Sequence, residues 1–459
     1  MHFKVASFTN SNGFSMNRVV CFLFFCAFGS LCSFATPSGE PGKLRFDLGS
    51  GPVKEGFSKV TPESLYNTTR GFGFDFNTRV VAVNRKGKDD LRGDYCTSEK
   101  PFLFSVKLPD GNYRVTVTLG DRKGSSSTVI KAEARRLMAE KVETRRGEFT
   151  TVTFVVNVRS TQIPGGAPVL LNMREMDHPN WDDKLTLEFN GEKPCVCAIE
   201  IEPAPGAVTI FLAGDSTVTD QKEEPWAAWG QMLPVFFGEG AVVANHAESG
   251  ESLSNFMAQR RLEKILSQMK PGDYLFIQFA HNDMKQQPPQ FGPFTSYKRY
   301  LKQYIDLARA KGGIPVLVTS MHRRRFDEQG KVENTLMEYP EAMRQSAAEE
   351  KTPLIDLLEM SARFYEAMGP EGSKKAFVHY PAGTFAGQTA ELKDDTHFNT
   401  YGAYELAKCI VEGIRLQVPA LAAFLKPGLS SYNPSKPADV AKWNLPASPN
   451  TSLLKPAGN

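Results

Sequence analysis

From residue 208 onward the chain alternates short apolar strands with amphipathic helices, and this alternation limits the fold more than any other feature. Residues 208–213 form a largely apolar run, and 241–244, 274–279, 315–319 and 354–357 read as further strands. Helical segments lie between them, among them 301–310 and 401–416. In the last, Ala403, Leu406, Ala407, Ile410, Val411 and Ile414 recur at helical spacing and make one buried stripe, with Asn399 or Thr400 placed to cap its start. Strands that are apolar along their length are covered on both faces. The expectation is therefore α/β: a flavodoxin-like parallel sheet, residues 208–420, with helices on both faces. Functional sites of such sheets lie beyond the carboxyl ends of the strands.

Residues 43–203 have a different rhythm. Strand-like stretches at 102–108, 113–119, 150–158, 169–173, 185–189 and 195–201 are punctuated by Pro109-Asp110-Gly111, Pro164-Gly165-Gly166 and Asn190-Gly191. Short strands with regular turn signals and no long helical period predict a β-sandwich of jelly-roll type. Pro203-Ala204-Pro205-Gly206 then reads as a linker. A chain of 459 residues has room for both units. Residues 427–459 are rich in Pro, Ser and Asn with little periodicity, the pattern of an irregular tail that wraps the surface or stays unstructured.

The N-terminus predicts export. Met16-Asn17-Arg18 precedes an apolar run through Phe28, and Ser33-Phe34-Ala35 places small residues where a signal peptidase reads them. Cleavage is expected after Ala35, giving a signal peptide of residues 1–35, a secreted or periplasmic protein and no membrane attachment afterwards; the apolar run is short for a bilayer span. Cys96, Cys195, Cys197 and Cys409 remain, and Cys96 could pair with Cys195 or Cys197. Cys195-x-Cys197 offers too few ligands for zinc, and no metal or cofactor motif occurs elsewhere. The net charge of +3 gives no footprint for nucleic acid. The sequence leaves the oligomeric state open.

Four short motifs carry possible chemistry. Ala213-Gly214-Asp215-Ser216-Thr217 follows the first parallel strand, where a serine faces the crevice but needs a base to become a nucleophile. Asp394-Asp395-Thr396-His397 lies just before the last helix; an Asp three residues ahead of a His can hold the ring Nδ1 and leave Nε2 as base. Asn282, in Ala280-His281-Asn282-Asp283, and Gly250, in Ser249-Gly250-Glu251-Ser252, each follow a strand and can donate N–H groups to a developing oxyanion. Each motif alone has an ordinary alternative: a helix cap, a surface Asp/His pair, loop chemistry.

Taken in order, these motifs resemble the SGNH (GDSL-type) hydrolases. The resemblance implies Ser216 as nucleophile, His397 as base and Asp394 as its orienter, both supplied by one short loop, with Asp395 as competitor for the orienting role. It implies an oxyanion hole from Gly250, Asn282 and the Ser216 backbone N–H, and no cofactor. Trp229 to Leu233, His322 to Phe326, Phe377 to Gly383 and Asp394 to Ala407 are similar to the rhamnogalacturonan acetylesterase branch, and residues 43–203, through Arg45-Phe46-Asp47-Leu48-Gly49, to a galactose-binding-like sandwich. The substrate implied is an acetylated polysaccharide, pectic rhamnogalacturonan first. Acetyl-xylan, another glycan or a lipid ester is the alternative, as is a carbohydrate-binding protein with an inactive esterase unit. Arg323, Arg324 and Arg325 follow the strand ending at Thr319, and arginines bind galacturonate carboxylates well. Arg323, Arg324 and His379 are thus the candidate substrate contacts. Phe291 and Phe294 suit a cleft wall, whereas Trp229 suits helix packing.

Overall fold

The computed structural model describes residues 42–86, 89–287 and 289–458. The expected signal peptide lies outside the described residues.

Two sheets build the first part. One has the order Phe149–Val158, Gly111–Gly120, Val196–Pro203, Leu44–Leu48, Ser58–Val60, with Val81–Asn84 and Asp94–Thr97 joined at its side. The other runs Phe72–Asp75, Phe102–Lys107, Lys184–Asn190, Ser126–Ala132, Arg136–Thr144. Alternation explains the packing: Tyr113, Val115, Val117 and Leu119 turn inward and meet Phe46, Phe104, Leu187 and Ile199 in one core.

Three expectations are corrected here. Residues 169–173 do not form a strand. Leu170 N–H donates to Gln259 O instead of joining a ladder, and Asn172 caps the short 3-10 turn Met173–Glu175. Two strands, Ser126–Ala132 and Arg136–Thr144, escaped the sequence pattern. The cysteines are not bridged: Cys96 stands opposite Val196 and shares its face, so Cys195 and Cys197 look the other way, and all are free and buried.

The second part is a parallel sheet in the order Ala241–Asn245, Val208–Gly214, Tyr274–Gln278, Ile314–Val318, Leu354–Ile355. Its strands are almost wholly buried, and successive residues feed opposite cores. Ile210, Leu212, Phe276, Val316 and Val318 pack with Trp229 and with Leu406, Ile410 and Ile414 of the helix Thr400–Gln417. Phe211, Ala213, Leu275, Ile277 and Leu317 pack with Phe256, Leu262, Leu301, Tyr304 and Ile305 from the opposite helical layer. Asn399 is the cap of the helix Thr400–Gln417, its side chain accepting from Gly402 N–H. The fifth strand is shorter than expected, because Asp356 accepts from Glu359 N–H and starts the helix Leu357–Gly372.

Buried polar contacts join the two parts. Arg136 Nε lies 2.6 Å from Asp220 Oδ2, and Asp220 Oδ1 accepts from Asn245 Nδ2 at 2.8 Å. Arg135 pairs with Glu224 at 2.6 Å and donates to the carbonyls of Gln221 and Trp226. The segment after Ser216 is thus braced by the sandwich. Residues beyond 427 run extended over the surface, with Trp443 against Tyr401 and Tyr404.

Candidate active site

The serine sits where the first parallel strand ends and the chain turns. Val218 and Thr219 N–H donate to Asp215 O, and the Asp215 carboxylate accepts from Thr217 N–H and Oγ1. These bonds close a tight turn with Ser216 at its apex. His281 Nδ1 lies 3.5 Å from Asp215 Oδ2. Burial opposes ionisation of Asp215, yet His281 and Thr217 hold its carboxyl below the usual range.

The structure brings Ser216, His397 and Asp394 together from 181 residues apart in sequence. Ser216 Oγ and His397 Nε2 are 2.8 Å apart, and His397 Nδ1 lies 2.9 Å from Asp394 Oδ2. Asp394 Oδ1 accepts from Thr396 N–H at 2.8 Å and from His397 N–H at 3.0 Å. Burial acts to raise the Asp394 pKa, but the His397 ring and these two amides outweigh it and hold it at about 2. Asp394 is therefore ionised wherever the imidazole needs a partner. The Trp226 ring stands edge-on to His397 with centroids 5.9 Å apart. Both Asp394 and His397 lie in the strand Leu392–Phe398, paired antiparallel with Phe377–Tyr380, rather than in a loop.

Asp395 points elsewhere. It accepts from Arg324 Nε at 2.6 Å and lies 2.8 Å from His379 Nε2. Two of the candidate substrate contacts are thus tied to one carboxylate beside the triad. Arg323 is half-buried, within reach of Thr335 Oγ1 at 3.2 Å, and its charge faces the carboxylates of Asp215 and Asp394. Arg325 is exposed and pairs with Glu333. Trp229 is fully buried, its Nε1 donating to Gln278 at 2.7 Å, so it is a packing residue. Phe291 is half-buried and Phe294 exposed.

Gly250 and Asn282 are neighbours. Asn282 Nδ2 donates to Glu251 O at 3.0 Å, which leaves its second amide hydrogen available to a ligand. Gly250 has φ +85°, a backbone shape that disfavours any side chain. Gln221 Nε2 joins the two loops by donating to Ser216 O at 2.8 Å and Ser249 Oγ at 3.4 Å. Gln221 was not singled out in the sequence, because a lone Gln five residues past a serine follows no chemical motif. The arrangement offers a serine hydroxyl, an imidazole within hydrogen-bond reach of it, an ionised carboxylate behind that ring and nearby N–H donors, a set suited to acyl transfer.

Residues 212–403 match the model of the GDSL-like lipase/acylhydrolase family. Residues 44–162 match the beta-agarase/YXIM esterase-like, galactose-binding domain-like model. The chain is 46% identical over 209 residues to rhamnogalacturonan acetylesterase RhgT of Bacillus subtilis (strain 168), covering 45% of this chain and 89% of that protein. It is 28% identical to the uncharacterized esterase YxiM of the same organism, over 88% of this chain and 98% of that one. The crystal structure of the YxiM protein covers 82% of this chain and 98% of its own, with 26% identity and a TM-score of 0.42.

Proposed function

Because the chain belongs to the GDSL-like lipase/acylhydrolase family, we propose that it is a carbohydrate O-acetylesterase acting on acetylated pectic rhamnogalacturonan. The hydrogen-bonded row Ser216–His397–Asp394 carries this reading. Ser216 Oγ attacks the acetyl carbonyl while His397 Nε2 takes its proton. Negative charge builds on the former carbonyl oxygen, where Gly250 N–H, an Asn282 amide hydrogen and the Ser216 N–H receive it. The C–O bond to the sugar breaks as His397 returns the proton to the leaving hydroxyl. Water, deprotonated by His397, then attacks the acetyl-serine, acetate leaves and Ser216 is restored. Asp394 stays ionised throughout and stabilises the imidazolium.

The substrate class rests on the relative named a rhamnogalacturonan acetylesterase, which shares 46% identity over 209 residues. Arg323, close to the triad and without a carboxylate within salt-bridge distance among the described residues, suits a galacturonate carboxylate. The charged and then apolar stretch before Ala35 supports export, where such polymers are met.

The test is acetate release from acetylated rhamnogalacturonan, homogalacturonan and xylan by the wild type and by Ser216→Ala. The expected result is fastest release from rhamnogalacturonan and none above background from Ser216→Ala. Equal rates on xylan would overturn the substrate, and an active Ser216→Ala would overturn the mechanism.

A further inference from the structure

Arg174 belongs to the sandwich part of the chain, yet its side chain reaches the loop that carries Gly250. Its Nε donates to Glu248 Oε1 at 2.8 Å, and its Nη2 donates to the carbonyl oxygen of Ser249. The turn that holds it is firmly anchored. Glu175 N–H donates to Asn172 O, Asn172 N–H donates to Glu175 Oε2 at 2.9 Å, and Glu175 pairs with the buried Arg261. Glu248 N–H in turn donates to Gly214 O at the end of the nucleophile strand.

The Ser249 carbonyl and the Gly250 N–H belong to one planar trans peptide, so they point in opposite directions. Fixing the carbonyl fixes the N–H. Glycine at 250 gives the loop backbone freedom that a tether must remove. We infer that Arg174 is a positioning residue: by holding the Ser249 carbonyl it keeps the Gly250 N–H turned toward the oxyanion, so the sandwich completes the catalytic machinery. The inference rests on the esterase mechanism above.

The test compares wild type, Ser216→Ala, Arg174→Ala and Arg174→Lys with a small activated acetate ester, with melting temperatures measured alongside. Arg174→Ala should lower kcat about tenfold to a hundredfold, at or below the loss of a whole oxyanion donor. KM should stay within about twofold, because the lost contact acts in the transition state. Arg174→Lys should recover part of kcat, since an ammonium still donates to the carbonyl. Wild-type kcat in Arg174→Ala beside a dead Ser216→Ala overturns the inference. So does a loss in which Arg174→Lys is no better than Arg174→Ala and both melt early, which marks a purely structural role. Activity in Ser216→Ala would refute the esterase reading instead.

A separate observation concerns residues 446–458. Glu224 N–H donates to Asn450 O, Ser452 N–H donates to Glu224 O at 2.8 Å, and Ser452 O accepts from Trp226 Nε1 at 3.0 Å. Farther on, Lys455 Nζ lies 3.8 Å from Asp394 Oδ2. A Cβ on Gly458 would fall 2.6 Å from Asn282 Oδ1 and 2.9 Å from Gly250 Cα, and its carbonyl accepts from Lys285 Nζ. The segment thus passes beside Asp394, and Gly458 lies against Asn282 and Gly250. Ser216 is only 3% exposed and His397 1%.

The geometry points to an autoinhibitory strap: residues 452–458 must leave before substrate reaches Ser216. Gly458→Val in the full chain, or a chain ending at Ser452, should free the site. Hydrolysis and labelling of Ser216 by a phosphonate should then speed up about tenfold if the open form is about a tenth of the wild-type population. Adding Ser216→Ala to either variant should abolish both signals, which separates this test from that of the mechanism. Released variants no faster than wild type overturn the strap.

Discussion

Replacing Asp394 by Asn isolates what its charge does. Among the described residues the carboxylate accepts three hydrogen bonds: two from the backbone N–H groups of Thr396 and His397 on Oδ1, and one from the ring on Oδ2. An asparagine can keep its oxygen on the two amides, but its NH2 then faces His397 Nδ1. That nitrogen must become an acceptor, so the ring proton moves to Nε2, the atom that should receive the Ser216 proton. The expected loss in kcat is about a thousandfold to ten-thousandfold, as for a triad locked in the wrong tautomer. KM should change little, because the carboxylate does not touch substrate. Stability responds separately. The Asp394 pKa is held at about 2, below its ordinary 3.8. A depressed carboxylate stabilises the native state above its ordinary pKa, and the contribution fades as pH falls toward the folded value. That difference amounts to about 2 kcal/mol at neutral pH. Asp394→Asn should lose no more than this near neutrality and nothing in strong acid. Asp395→Asn is the control. It loses its Arg324 and His379 contacts but leaves the triad bonds in place, so its kcat should stay within about tenfold of wild type. Steady-state kinetics on a small acetate ester, with denaturant melts at several pH values, reads both effects. An Asp394→Asn enzyme near wild-type rate, or an Asp395→Asn enzyme equally damaged, would refute the assignment of the orienting carboxylate.

Asn282→Ala should reduce kcat about a hundredfold to a thousandfold with intact folding, the cost of one oxyanion donor; near-normal turnover would remove Asn282 from the hole. Arg136→Ala strips the salt-bridge partner from Asp220, buried at 1% exposure, and should destabilise the chain by about 3–5 kcal/mol in equilibrium denaturation. A neutral outcome would mean that this bridge does not couple the sandwich to the catalytic sheet. Asp283 is pushed up from 3.8 to about 7 by burial, helped by the Asp215 and Glu251 charges. Its ionised form therefore costs stability as pH rises from about 4 toward 7, so Asp283→Asn should match wild type below about pH 4 and gain up to about 4 kcal/mol above neutrality. Melting curves with the same pH slope for both proteins would contradict the raised value.

The catalytic sheet was legible because its strands are buried on both faces. Burial on both sides demands unbroken apolar runs, and residues such as Ile210 to Ala213 and Leu275 to Ile277 supply them. The turn chemistry was legible for a related reason, since a strand end followed by Gly-Asp-Ser, or Asp three residues before His, is local. The strands Ser126–Ala132 and Arg136–Thr144 were not. Lys131, Arg135 and Arg136 interrupt the apolar alternation, yet they are buried against Ser448, Glu224 and Asp220, a hydroxyl and two carboxylates contributed from roughly 80 to 320 residues away.

By itself the sequence determined the two architectures, their order and the short motifs that supply the candidate site, because periodicity and short motifs are local properties. Tertiary structure alone decided that Asp395 turns to Arg324 and His379, that Cys96 looks away from Cys195 and Cys197, that Arg174 reaches across to the Ser249 carbonyl, and that Ser452 meets Trp226 while Gly458 meets Lys285. Each depends on which distant backbone is brought within about 3 Å of a polar group, the range in which a hydrogen bond forms. No spacing along the chain encodes that proximity; it follows only when both hydrophobic cores close and carry their loops together.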